Sequence, residues 1–170
     1  PSLKLFCLPR WLNGTVLWLS LFLFLFISPG LLIAGTFYVD QLKGNILNDG
    51  FSRQTPLKTI QSAHDRSTPG DRVIVLSGVY LERVRISRSG RPGLPIRFET
   101  EGLVICRGFT IEASFIQIVG FEITGTSDDW ADGAGVFVSG SNCQIKDNYI
   151  HDVILRGIML WASDRDSPNT

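Results

Sequence analysis

The stretch Gly135-Val-Phe-Val-Ser-Gly-Ser-Asn-Cys-Gln-Ile-Lys-Asp-Asn-Tyr-Ile150 decides the fold, because its pattern returns on both sides of it. Upstream, Gly108-Phe-Thr-Ile111 matches Gly135-Val-Phe-Val138 at an offset of 27; downstream, Gly157-Ile-Met-Leu160 matches it at an offset of 22. The rest of the unit matches too, with Phe115-Ile-Gln-Ile118 over Asn142-Cys-Gln-Ile145 and Phe121-Glu-Ile123 over Asn148-Tyr-Ile150. Short apolar alternations repeating at about 22 residues, without helical periodicity, predict strands stacked coil on coil in a parallel β-solenoid. The longer offset has a simple source. Thr126-Ser-Asp-Asp-Trp-Ala-Asp-Gly133 is an insertion at one corner, where such arrays tolerate extra residues.

The repeat gives each residue an address. Gly135 to Gly140 is a first strand, Cys143 to Ile145 a second and Tyr149 to His151 a third. Alternation then places Ile111, Val138 and Leu160 in one inward stack and Ile118 with Ile145 in another. Phe137, Met159 and Trp161 point outward, with Thr110 ahead of Phe137 in the same column. This mostly apolar strip is expected to be an exposed contact surface, for sugar rings, a covering loop or another protein. Asn148 falls at the tight turn between second and third strands, where Asn accepts a left-handed backbone and bonds a neighbouring coil. Cys143 stands where the preceding coil has Ile116, so it is read as a small buried hydrophobe.

The 170 residues include 44% apolar residues and equal numbers of acids and bases, 16 each, which is a folding composition for one domain. Without a basic run, nucleic acid is not an expected partner. Cys7, Cys106 and Cys143 are odd in number and lack C-x-x-C spacing, so neither a zinc site nor a disulfide framework is indicated. Lys4 and Arg10 precede an uncharged stretch from Trp11 to Gly35 that is densest in large apolar residues from Val16 to Ile27. Residues 1–35 therefore read as an export segment, either a cleaved signal peptide or an anchor of about 20 residues, and as the only part expected to meet a membrane. Leu32 and Ile33 make a poor cleavage site. The end at Asp164-Arg-Asp-Ser-Pro-Asn-Thr170 offers no cap for a solenoid, so residues 36–170 read as the N-terminal part of a longer β-helix domain.

Thr36-Phe-Tyr-Val-Asp40 is a short β-prone run. A helix is expected next, with Thr55 as N-cap, Pro56 at its first position and Leu57, Ile60 and Ala63 on its apolar face; its use is to cap the first coil. His64 is placed on its exposed side. Pro69-Gly-Asp71 ends it, and strands follow at Val73–Leu76, Val84–Ile86, Ile96–Phe98 and Leu103–Cys106.

Several of these motifs together carry a resemblance: Tyr38-Val-Asp40, Asn48-Asp-Gly50, Thr55-Pro-Leu-Lys-Thr-Ile60, Pro69-Gly-Asp-Arg-Val-Ile-Val75, Gly78-Val-Tyr80 and Glu82-Arg-Val84. They resemble the N-terminal region of right-handed parallel β-helix proteins of the pectate-lyase-like superfamily. The resemblance implies an all-β, right-handed solenoid and a polysaccharide partner; it leaves the chemistry open, since that superfamily holds lyases, hydrolases, epimerases and proteins of no known activity.

The corner leading into each first strand holds Thr126 to Ala134 in one coil and Asp152 to Arg156 in the next, and coils about 4.8 Å apart make these loops neighbours on one rim. That rim carries Asp128, Asp129, Asp132, Asp152 and Arg156, with Trp130 among them. The resemblance implies a lyase site there: calcium on the four aspartates, Arg156 as base, His151 beside Asp152 as a further acid–base candidate, and Trp130, Phe137, Met159 and Trp161 against sugar. Two observations weigh against it. Acidic residues are common in solvated turns, and Arg156 precedes Gly157-Ile158 where the family's calcium enzymes carry an acidic residue. Two function classes stay open, an exported lyase of acidic polysaccharides such as pectin and a non-catalytic surface β-helix that binds glycans.

Overall fold

The computed structural model describes residues 34–127 and 132–161. The export segment, apart from its last two residues, and Asp128, Asp129 and Trp130 lie outside these. Two compact units, Pro1–Leu31 and Leu32–Thr170, divide the chain, and every described residue belongs to the second.

Nine strands, all paired in parallel, and one helix make up the described residues. β1 (Thr36–Val39) pairs β2 (Arg72–Ile86), which pairs β3 (Ile96–Ile111). From β3 the ladder splits three ways: to β4 (Ile116–Val119) and β7 (Gln144–Lys146), to β5 (Glu122–Ile123) and β8 (Tyr149–Ile150), and to β6 (Val136–Val138) and β9 (Ile158–Leu160). These are the three faces of a coil. Here β6 and β9 continue the first face, β4 and β7 the second, β5 and β8 the third.

The registers carry the columns that alternation predicts. Ile86, Ile111, Val138 and Leu160 align, as do Phe98, Ile118 and Ile145, and Tyr80, Cys106, Ile123 and Ile150 line the third face from within. Cys143 packs against this core, and burial pushes its thiol up. A buried aromatic row, His64, Phe98, Phe109 and Phe121, crosses the interior with successive ring centroids 6.2, 6.4 and 5.0 Å apart. Each fully buried side chain of this size contributes about 1.5–3 kcal/mol. At the start of the repeat, Gly108 has φ +121° and an added Cβ would sit 2.1 Å from the Gly135 carbonyl oxygen, so no other residue fits.

Three expectations change. The runs read as separate strands at Val73 and Val84, and at Ile96 and Leu103, belong to β2 and β3, which turn corners without breaking; register shifts between Leu76 and Gly78 and between Tyr80 and Arg83 absorb the bend. The helix α1 (Ile60–His64) starts later than expected, because Leu57 is spent on β1. Its N–H donates to the Tyr38 carbonyl and its carbonyl accepts from Asp40 N–H, at 2.8 and 2.9 Å. Thr59, not Thr55, is the N-cap, its hydroxyl accepting from Ser62 N–H at 3.1 Å. Glu82 accepts from Ile60 and Gln61 N–H at 2.8 and 3.1 Å, and burial raises its carboxyl. Finally, His64 is buried rather than exposed: Nε2 accepts from Ser87 N–H at 3.1 Å, Nδ1 has no partner, and burial pulls its pKa down.

Candidate functional site

The two corner loops do form one rim. Gly125 N–H donates to the Asp152 carbonyl, Gly135 N–H to the Arg156 carbonyl and Leu155 N–H to the Gly133 carbonyl. Thr126 Oγ1 ties both loops, donating to the Gly133 carbonyl at 3.0 Å and accepting from Ile154 N–H at 2.9 Å.

Among its described residues, Asp132 and Asp152 are already engaged. Asp132 lies between two guanidinium groups, with Oδ1 2.9 Å from Arg83 Nε and Oδ2 2.8 Å from Arg85 Nη2. Arg83 was missed by sequence reasoning as a site organiser, and it holds the insertion down. Its Nε donates to Thr110 Oγ1 at 2.8 Å, Nη1 to the Ala134 carbonyl at 2.7 Å and Nη2 to the Phe109 carbonyl at 3.1 Å. Asp152 bonds His151 instead of turning toward Asp132: His151 Nδ1 is 2.9 Å from Asp152 Oδ2, and Nε2 is 3.2 Å from Glu122 Oε1. A carboxylate on each ring nitrogen favours the doubly protonated ring, so the Asp152 bond, then the Glu122 bond, raise the His151 pKa. Both ring nitrogens are thus engaged by carboxylates. Arg156 is exposed, with Nη1 3.5 Å from the Met159 sulfur. Among the described residues, no three His, Cys, Asp or Glu side chains come together as metal ligands. Asp132 is paired with arginines and Asp152 with His151, while Asp128 and Asp129, the other two expected calcium ligands, lie outside the described residues.

The outward strip is also corrected. Thr110, Phe137 and Met159 do share one outward column. However, Phe137 and Met159 are each only 7% exposed and form a second apolar cluster with Ala134, which lies just after the insertion, separate from the main core cluster. Trp161 remains half-exposed, in a groove of about 310 Å³ with Arg156 and Met159.

Two other surfaces were not singled out by sequence. On the third face, Tyr149 is 65% exposed, stacks on His151 at 4.5 Å and has Glu122 before it in the same outward column. On the second face, one outward column runs Thr36, Arg72, Arg97, Gln117, Gln144 and a second runs Tyr38, Ile74, Glu99, Val119, Lys146. Arg72 Nη2 pairs with Glu99 Oε1, and Arg97 Nε lies 2.6 Å from Glu99 Oε2, close enough for an ion pair but without hydrogen-bond alignment. Gln117 Nε2 donates to Gln144 Oε1 at 3.3 Å, one coil on. The signal for this pair was visible: Gln occupies the same place in both matched repeats, Ile116-Gln-Ile118 and Cys143-Gln-Ile145. Beside it, between the β6–β7 and β2–β3 connections, opens a groove of about 400 Å³.

Comparison with known proteins agrees with this architecture. A family described as "Protein of unknown function (DUF1565)" matches residues 91–168. Among curated proteins, "Uncharacterized protein YwoF" of Bacillus subtilis (strain 168) is 29% identical over 150 residues, covering 77% of this chain and 31% of that protein. The chain thus spans about a third of the length of this relative. Solved structures with the same fold include a rhamnogalacturonan lyase (19% identity, TM-score 0.61, 70% of this chain and 36% of that one). Another is the GH136 lacto-N-biosidase from Eubacterium ramulus, whose native form gives 16% identity, TM-score 0.58, and coverage of 71% of this chain and 27% of that one. In fold, the chain is a right-handed parallel β-helix.

Proposed function

We propose that the chain is part of an exported protein whose solenoid holds a linear polysaccharide along its outer faces. The observation that carries this reading is the second-face column Arg72, Arg97, Gln117, Gln144, which sets one hydrogen-bonding side chain per coil in a line parallel to the solenoid axis. Coils repeat at about 4.8 Å, so an extended polymer lying along the axis meets a donor or acceptor at every step. Two solved proteins of the same fold, a lyase and a biosidase by name, support a saccharide partner. Export is supported by Lys4, Arg10 and the apolar run that follows them. In the same reading α1 closes the first coil, since Ile60 and Ala63 are buried against β1 and β2.

The alternative is a lyase of acidic polysaccharides working at the rim through Arg156 and His151. The pairings described for Asp132 and for both nitrogens of His151 favour holding over cutting. The test passes the full chain over immobilised polygalacturonate, alginate and a neutral galactan, and follows the ultraviolet absorbance of unsaturated product in parallel, with and without calcium. Retention on at least one polymer without product is expected. Retention on none overturns the reading, and a rise in absorbance replaces it with the lyase.

A further inference from the structure

We infer that the groove beside the Arg91–Leu94 turn is a subsite for the acidic group of a glycan, a carboxylate or a sulfate; the inference rests on the polysaccharide reading above. The groove is lined by the apolar Pro95 and Phe115 and by the amide side chains of Gln117, Asn142 and Gln144. Arg91 is its single charged lining residue. The guanidinium of Arg91 has no carboxylate or carbonyl partner among the described residues, whereas its backbone is fixed: Arg91 N–H donates to the Leu94 carbonyl at 3.0 Å and Leu94 N–H returns the bond at 2.9 Å. An unpaired cation on a fixed turn, lining a groove without acids, is available to an anion.

The amides complete the chemistry. Gln117 Nε2 is engaged with Gln144 Oε1, which leaves Gln117 Oε1 as an acceptor and Gln144 Nε2 as a donor, one coil apart. Sugar hydroxyls, each donor and acceptor at once, satisfy both. Charge on the surrounding face agrees. Its two outward columns hold Arg72, Arg97 and Lys146 against one carboxylate, Glu99, although the whole chain is neutral. The third face is different, since Glu122 and Asp152 flank Tyr149 and His151 there and repel a polyanion.

The test follows the backbone and side-chain amide NMR signals of the full chain during titration with three probes: trigalacturonate, its neutral methyl ester and a sulfated disaccharide. The expected result is movement of the Gln117 and Gln144 signals with an acidic probe, weakening with added salt. Arg91→Gln is expected to weaken that probe about three- to tenfold, the range for a partly exposed charge-assisted contact, and to leave the neutral ester unchanged. Response to trigalacturonate assigns a carboxylate and response to the disaccharide a sulfate. Equal affinity of Arg91→Gln and parent for every acidic probe, or shifts confined to Tyr149 and His151, overturns the subsite while the polysaccharide reading stands. Silence with all three probes, together with no retention on any immobilised polymer, overturns both.

Discussion

Replacing Arg83 by methionine removes the guanidinium that fastens the insertion to the first face. The acceptors that lose a donor include Thr110 Oγ1, Asp132 Oδ1 and the carbonyls of Phe109, Asp132 and Ala134, and the side chain is only 9% exposed. Truncating one partner of a buried, hydrogen-bonded ion pair costs about 3–5 kcal/mol. Two features lower that figure. Asp132 keeps Arg85 at 2.8 Å, so its charge is not orphaned, and the methionine stem retains the packing of the arginine methylenes. The expected loss is about 2–4 kcal/mol, read from urea denaturation followed by circular dichroism, with an unchanged slope. Arg83→Lys keeps the charge but not the fork, and is expected to recover less than half of the loss. An Arg83→Met variant within about 0.5 kcal/mol of the parent would refute the claim that this guanidinium holds the insertion.

The two histidines give opposite pH dependences. His64 has a depressed folded pKa, so below about pH 6.5 the unfolded chain takes up a proton that the folded one refuses, and stability falls on acidification; His64→Leu is expected to remove this slope, and an unchanged urea midpoint-versus-pH curve would sink the assignment. His151 has a raised folded pKa, so its contribution is fully present below the unfolded value and disappears as pH rises through the folded one; His151→Gln is expected to lower the midpoint in acid and not in alkali. Because Phe137 is buried in the outer cluster, Phe137→Ser is expected to cost about 2–4 kcal/mol rather than to leave the fold untouched, and thermal melting at the parent temperature would show the residue to be dispensable.

How much was legible in the sequence depends on which force sets each feature. The column through Ile111, Val138 and Leu160 was readable because a strand's period of two and a fixed repeat leave a single register that aligns them; Ile111 and Val138 are buried in it, whereas Leu160, in the last described strand, is 77% exposed rather than inside. Asn148 was readable too, and its side chain does bridge coils, accepting from Phe121 N–H and donating to the Ile118 carbonyl; the left-handed backbone, however, falls on Asp147 (φ 54°). The start of α1 was not legible, since Thr55-Pro56 is a sound local signal that a tertiary bridge from Leu57 to Val39 overrides. Nor was the burial of Phe137, which depends on where the insertion folds back, something alternation along a strand does not encode. The charge pairings of Asp132 lay equally out of reach, because Arg83 and Arg85 sit nearly fifty residues away and two coils earlier.

The uneven lengths of the strands bear on how the molecule comes apart. β2 and β3 run side by side from Arg72 and Arg97 to Ile86 and Ile111, around all three faces, while β4 to β9 are two to four residues each. A coil in such an array is held only by its neighbours. Among the described strands, the short ones of β4 to β9 are therefore expected to open before the long β2–β3 pair. Amide protons in Val73 to Val84 then exchange slowest and those in Gln144 to Leu160 fastest, a gradient of protection along a single continuous core. Such a gradient lets the far coils vary their outward side chains at small cost to folding, while the same substitution in β3 is felt by the whole array.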